Sequence, residues 1–157
     1  MMKGNRMKRT KILEFRVDGE PLGKPRPRFQ RRGGGVHTYT PSRFVDYERQ
    51  IGAMALELAE AQGFAAPTPK ELAVVAVKRR PQRLNARRHH DGRLLCPVRP
   101  DGDNVLKIVA DGLERYGPLV NDAEIAIWSC ECYYAARSET DHIVISMWLL
   151  EEEDETC

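Results

Sequence analysis

Apolar and polar residues alternate or cluster in four stretches that predict β-strands. Residues 13–17 alternate apolar with charged side chains, which is typical of a strand with one buried face. Residues 72–77 form a continuous apolar run and predict an inner strand. Residues 123–134 carry apolar side chains on both faces, so we expect a central strand there, and residues 142–150 predict one more.

Two further stretches repeat their apolar residues at helical spacing. From Phe44 to Leu58 they recur every three or four residues, after a start signal at Thr40 and Pro41. A second stripe runs from Val105 to Tyr116, opened by residues 100–104 and stopped by Gly117-Pro118. The order of elements predicts an α/β (α+β) fold in one domain spanning residues 1–157, with a small mixed β-sheet packed with two main helices.

Two segments outside these elements are cationic. Residues 23–29 contain two prolines that forbid a helix, so we expect an extended strip there. It leads through the Gly33-Gly34-Gly35 tip into Val36–Tyr39, a short strand or hairpin arm. The arginine-rich residues 78–99 have no periodicity and predict a mobile loop.

Composition narrows the class of protein. The chain has 157 residues, of which 41% are hydrophobic and 31% charged, as in folded domains. It has no apolar run long enough to cross a membrane and no secretory signal, so we expect a cytoplasmic protein without a membrane partner. Cys130 and Cys132 lack a second pair at zinc-site spacing, which favours ordinary half-buried thiols over zinc.

The small net charge of +2 hides a strong segregation of charge. Residues 1–35 hold eleven Lys or Arg against three acidic residues, and residues 78–99 hold eight against one. From Ser138 onward there are seven acidic residues and no Lys or Arg. Two basic blocks indicate a surface that binds a polyanion such as nucleic acid. The alternative is that they are solvated charged loops without a binding role, with a solubilising acidic tail. We expect a basic arm over residues 1–11 and an acidic tail over residues 151–157.

Candidate chemistry begins at the second helix. Asp101 and Asp103 are separated by one glycine at the helix entrance, where two carboxylates can converge on a divalent cation. Lys107 follows Asp103 by four residues and therefore shares its helix face. The alternative is structural, because aspartate caps helices and suits the positive end of the helix dipole.

A third carboxylate, Asp122, stands just before the predicted strand at residues 123–134. A residue at the start of that strand can lie beside the mouth of the neighbouring helix, where it would join Asp101 and Asp103. The alternative for Asn121-Asp122 is a turn between helix and strand, for which both residue types are common.

The segment Arg99-Pro100-Asp101-Gly102-Asp103-Asn104-Val105-Leu106-Lys107, followed by Asp111-Gly112-Leu113 and by Asn121-Asp122-Ala123-Glu124-Ile125, resembles the RusA family of Holliday junction resolvases. Residues 21–29 and Tyr39-Thr40-Pro41 are also similar to that family's prophage-type members. The resemblance implies a homodimeric, Mg²⁺-dependent endonuclease that makes paired nicks in four-way DNA junctions in bacterial or phage-infected host cytosol. Its metal-binding aspartates fall on Asp101, Asp103 and Asp122, and its essential lysine on Lys107. Mn²⁺ is expected to substitute for Mg²⁺.

The remaining assignments follow from charge and position. Lys107 would stabilise negative charge on the phosphate, while Asn104 and Asp111 would support the site, Asp111 by orienting Lys107. Phe29 and Tyr39 are interpreted as packing residues, with stacking on bases as the alternative. A non-catalytic DNA-binding accessory protein of recombination or replication is the alternative function. The basic residues expected to contact DNA are Lys24, Arg26, Arg28, Arg31, Arg32, Arg79, Arg80, Arg87 and Arg88.

Overall fold

The computed structural model describes residues 6–62, 68–98, 100–119 and 121–153. The strands are β1 (Arg6–Asp18), β2 (Arg28–Arg32), β3 (Gly35–Tyr39), β4 (Lys70–Lys78), β5 (Leu94–Leu95), β6 (Ile125–Tyr134) and β7 (His142–Glu153). The helices are α1 (Ser42–Gln62) and α2 (Gly102–Arg115). Two 3-10 turns add Gln82–Leu84 and Asp122–Glu124. The α+β prediction is confirmed.

Five strands form one mixed sheet in the order β1-β7-β4-β6-β5. Among these strands β4 and β6 are parallel, and the other neighbours are antiparallel. The centre of the sheet is β4, not β6 as predicted. In the described part of the chain, the outer edge of β6 pairs only with the two residues of β5. The strand also keeps two large apolar side chains exposed, those of Ile127 and Trp128.

The hydrophobic core lies between the sheet and both helices. One cluster joins alternate residues of β1, β4 and β7 to the predicted stripes of α1 and α2. Periodicity located these elements because one face of each strand and helix had to be buried. Neither helix, among the residues described, is long and apolar enough to cross a lipid bilayer.

The predicted arm and tail pair with each other. Within β1, residues 6–11 lie antiparallel to residues 148–153 of β7, and Lys8 Nζ lies 3.5 Å from the Glu151 carboxylate. The described part of the basic arm is therefore a strand end beside acidic residues. Residues 1–5 and 154–157 of the predicted arm and tail lie outside the described residues.

The two helices cross where glycines allow their backbones to touch. A Cβ atom at Gly52 of α1 would lie 2.5 Å from the Gly112 carbonyl oxygen of α2 and 2.5 Å from Tyr116 Cβ. Because no side chain fits there, the two glycines allow α1 and α2 to pack at backbone contact.

We predict that Gly52→Ala destabilises the protein by about 1–3 kcal/mol through overpacking at the crossing. Helix propensity alone would give the opposite sign, a gain of about 1 kcal/mol. Urea denaturation of both proteins measures the difference, with the exposed Gln50→Ala of the same helix as the control. A more stable Gly52→Ala protein would contradict the steric argument.

Candidate active site

The site begins at the N-terminus of α2. Asp101 has extended backbone angles, and its Oδ1 accepts a hydrogen bond from the Asn104 amide at 3.2 Å. This is the helix-capping role that the sequence left open for Asp101. The residue is exposed, and capping uses one carboxylate oxygen, so the other oxygen is accessible to a ligand.

One turn into α2, Asp103 and Lys107 form an ion pair. Lys107 Nζ lies 2.6 Å from Asp103 Oδ2, and the two side chains are 58% and 73% exposed for Lys107 and Asp103. The hydrogen bond from Lys107 to Asp103 raises the pKa of Lys107, with a smaller contribution from the charge of Asp101. The lysine therefore stays a cation, as expected. An exposed pair of this kind is weak and can exchange partners with an anionic ligand.

Packing against β6 holds this end of α2 in place. A Cβ atom at Gly102 would lie 3.2 Å from Cys130 Cβ, so the helix start rests on the middle of the strand. Cys130 and Cys132 are half-buried, as predicted, with their sulfurs 3.8 Å apart. Burial raises the pKa of Cys130 to about 12, which keeps its thiol protonated.

A surface cleft of about 550 Å³ opens beside Asp101 and Asn104. Basic residues border it, namely Lys24, Arg26, Arg43 and Lys78. Sequence reasoning missed Arg43, although its place in the first turn of α1, directly after Tyr39-Thr40-Pro41, was a usable signal. A cleft that joins carboxylates to several cations suits an anionic substrate and a bridging cation.

Lys24 is paired with two carboxylates of the protein itself, whereas we predicted a DNA contact for it. Its ammonium pairs with Glu48 at 3.1 Å and also with Asp111. Its backbone amide donates to the Asn104 carbonyl at 2.9 Å, which docks the extended strip on α2. Asp111 therefore contacts Lys24 instead of orienting Lys107, while Asn104 supports the site through its backbone.

Asp122 lies away from the other two aspartates. It begins the 3-10 turn before β6, and its amide donates to Glu114 Oε2 at 3.1 Å. Glu114 follows Asp103 by eleven residues, which is about 16 Å along a helix. Within the described ranges, no three His, Cys, Asp or Glu side chains gather closely enough to hold a metal ion. The expected meeting of the three carboxylates therefore does not occur within a single chain.

The short connection between α2 and β6 explains this separation. The chain leaves α2 at Arg115 and enters the turn before β6 at Asp122, so the start of β6 must lie near the end of α2. The helix start instead lies beside Cys130, halfway along β6. The prediction that Asp122 lies beside the start of α2 is therefore wrong for a single chain.

The arginine-rich segment, residues 78–99, is held by side-chain hydrogen bonds and is not the mobile loop that we predicted. Arg80 is only 7% exposed and donates to the carbonyl oxygens of Ala135, His90 and Gly92. Arg137 donates to three more carbonyls of the same loop, those of Asn85, Ala86 and His89. Arg80 is therefore a scaffold residue and not the predicted DNA contact.

The other predicted DNA contacts are exposed or border the cleft. Three of them lie on the β2–β3 ribbon, which forms a two-stranded sheet of its own. Phe29 on this ribbon is 72% exposed, so the packing role that we expected for it is not observed. The predicted DNA contacts that are exposed are Arg26, Arg28, Arg31, Arg32, Arg79, Arg87 and Arg88.

Comparison with known proteins adds one finding. A family model described as Endodeoxyribonuclease RusA matches residues 18–146, which is most of the chain. A search of curated proteins gives no match.

We predict that the Arg93–Glu139 ion pair stabilises the folded protein in a pH-dependent way. The hydrogen bond from Arg93 lowers the pKa of Glu139 from 4.5 to about 2. The stabilisation is therefore complete above pH 4.5 and disappears as the pH falls from there to about 2. Since Arg93 is partly exposed, we expect about 1 kcal/mol or less.

Urea denaturation of wild type and Glu139→Gln at several pH values tests this. The difference in unfolding free energy should shrink toward zero at the acid end, and Arg93→Gln should show the same trend. A difference that is independent of pH would contradict the role of the pair.

Proposed function

Because the chain belongs to the endodeoxyribonuclease RusA family, we propose that it resolves four-way DNA junctions by Mg²⁺-dependent hydrolysis of phosphodiester bonds. The observation that carries this proposal is the group at the start of α2. Asp101, Asp103 and Lys107 are exposed there, beside a cleft bordered by cations. Hydrolysis of a DNA phosphate needs positive charge beside the reacting group, since both the substrate and the developing transition state are anionic. Lys107 and a metal ion held by the carboxylates would supply it.

Asp101, Asp103 and Asp122 would hold the ion, because Mg²⁺ prefers carboxylate oxygens, and Mn²⁺ would substitute for it. When bound, the ion would neutralise phosphate charge and activate a water for attack. Asp101 and Asp103 fit this role by donor type and exposure. A single chain does not bring Asp122 to them, as described above.

Lys107 would act as the cation that stabilises charge developing on the phosphate. Its raised pKa makes it a poor general base, since it holds its proton at neutral pH. In the absence of substrate its partner is Asp103, and a phosphate oxygen would replace that partner when DNA binds.

Contact with the DNA backbone is assigned to the exposed arginines of the β2–β3 ribbon and of the arginine-rich segment at residues 78–99. Such contacts position DNA without reading its sequence. The exposed Phe29 ring is available to stack on bases where the junction strands separate. We further propose a homodimer, because two equivalent sites match the two-fold symmetry of a four-way junction.

The direct test is incubation of the protein and Mg²⁺ with a labelled synthetic four-way junction, beside linear duplex of the same sequences. We expect symmetric nicks in the junction only. Junction binding without nicks in either Mg²⁺ or Mn²⁺ would instead identify a non-catalytic accessory protein.

We predict that Asp101→Asn and Asp103→Asn each abolish nicking while junction binding is retained. Asparagine caps helices about as well as aspartate, so the first variant should keep α2 intact. Lys107→Ala should bind but cut at least about a hundredfold more slowly. Asp46→Asn, an exposed aspartate of α1, is the control. Equal reduction of binding and cutting would indicate a structural role instead.

We predict that Arg31→Gln with Arg32→Gln weakens binding to every DNA tested. For each phosphate that the double variant no longer neutralises, the slope of log affinity against log salt should fall by about 1. Fluorescence anisotropy with a labelled junction over a series of KCl concentrations measures this. Arg16→Gln on β1 is the matched control, and an unchanged slope in the double variant would remove the ribbon from the DNA surface.

A further inference from the structure

Three cysteines line a second surface cleft beside the start of α2. This cleft has a volume of about 490 Å³, and Cys96, Cys130 and Cys132 border it together with Asp101 and Gly102. All three side chains are half-buried free thiols. Neighbouring thiols can exchange with disulfides, a chemistry that the proposed function does not use.

Cys96 and Cys132 face each other across two antiparallel strands. β5 pairs with β6, and Leu95 lies opposite Tyr133. The next step of this register places Cys96 opposite Cys132, and the Cys96 amide donates a hydrogen bond to the Cys132 carbonyl at 3.1 Å. Residues directly opposite in such a pair have Cα atoms about 5.5 Å apart and side chains on one face of the sheet. That separation is typical of disulfide-bonded cysteines.

Cys130 also contacts Cys132 but is a poorer partner for a disulfide. Its sulfur lies 3.8 Å from that of Cys132. The two residues are two positions apart on one strand, so their Cα atoms are about 6.6 Å apart, near the upper limit for a disulfide. Burial raises the pKa of Cys130 to about 12, so its thiol stays protonated and is a poor nucleophile.

We propose that Cys96 and Cys132 form a redox-modified site, at which a small-molecule disulfide such as oxidised glutathione converts the two thiols to a reversible intrachain disulfide. We further propose that this disulfide slows nicking. The second statement rests on the proposed function, whereas the first is independent of it.

The exchange takes two steps and needs no reactant besides the small-molecule disulfide, RSSR. The thiolate of Cys96 attacks one sulfur of RSSR, the S–S bond of RSSR breaks, and RS⁻ leaves. The thiolate of Cys132 then attacks the Cys96 sulfur, a bond forms between the two protein sulfurs, and the second RS⁻ leaves. The two RS⁻ ions take up the two protons that the thiols lose, and two electrons pass from the protein to RSSR. An excess of RSH reverses both steps.

The disulfide would act on the segment that leads into α2. Cys96 precedes Asp101 by five residues, and Pro97 and Pro100 stiffen the chain between them. A covalent link from this segment to β6 therefore restrains Asp101. One Asp101 oxygen caps the helix, so the carboxylate must adjust when the other oxygen takes a ligand. We expect the restraint to oppose that adjustment.

Thiol mapping tests whether the disulfide forms. The folded full-length protein is equilibrated with glutathione at a series of reduced-to-oxidised ratios, blocked with N-ethylmaleimide, digested and analysed by mass spectrometry. We expect two peptides linked through Cys96 and Cys132, and their separation after dithiothreitol. Cys130→Ser should form the same link. No link at any ratio, glutathione adducts only, or a wild-type link between Cys130 and Cys132 would overturn the proposal.

Nicking of a labelled four-way junction tests the effect on activity. Oxidised wild type should cut at least about tenfold more slowly than the same sample after dithiothreitol, because small displacements at a reacting centre are costly. Cys96→Ser is the matched control, since it retains the other three cysteines of the chain. It should cut at the same rate before and after dithiothreitol. A rate that oxidation lowers equally in both proteins would assign the effect to other thiols and overturn the role of Cys96.

The two readouts separate this proposal from the proposed function. Reduced protein that cuts no junction in Mg²⁺ or Mn²⁺ contradicts the proposed function, while the mapping still decides whether the disulfide forms. Reduced protein that cuts, and cuts equally fast once the link has formed, overturns the effect of the disulfide on nicking.

Discussion

The buried carboxylate of Glu48 is the interaction on which the site geometry depends. It lies in α1, is almost fully buried, and is neutralised by Lys24 of the extended strip and Arg115 of α2. A buried carboxylate without such partners is strongly destabilising, so the three segments must come together. The close contact of Gly52 with Gly112 lies at the same crossing. Through this crossing, the fold determines where α2 presents Asp101.

Arginine serves two different purposes in this chain. Arg80 and Arg137 direct their guanidinium groups at backbone carbonyls and hold the loop between β4 and β6 in shape. The arginines of β2 instead remain exposed. Arginine suits both uses, because its five donors in a rigid fork satisfy carbonyl oxygens as readily as phosphate oxygens. The number of arginines in a basic block of sequence is therefore larger than the number that the folded protein offers to a ligand.

Two predictions from the apolar pattern were wrong, the central place of β6 in the sheet and the mobility of residues 78–99. The apolar residues on both faces of β6 predicted a central strand, yet one of its edges is open over the described residues and Trp128 is exposed. An apolar pattern reports that a surface avoids water, and a partner copy can cover it as well as the chain's own core can. The segment at residues 78–99 lacked periodicity, which predicted a mobile loop, whereas side-chain donors from Arg80 and Arg137 order it.

The sequence by itself determined the interactions that are local in the chain. It predicted the helix that starts after Asp101, the helix face that Asp103 shares with Lys107, and the alternation that buries one face of β1. Spacing within one helix or strand converts directly into distance, because the geometry of these elements is regular. Only the tertiary structure decided that Lys24 binds Glu48 and Asp111, and that Asp122 lies at the far end of α2. Those contacts depend on how the chain returns across the sheet, and residue spacing alone does not encode that path.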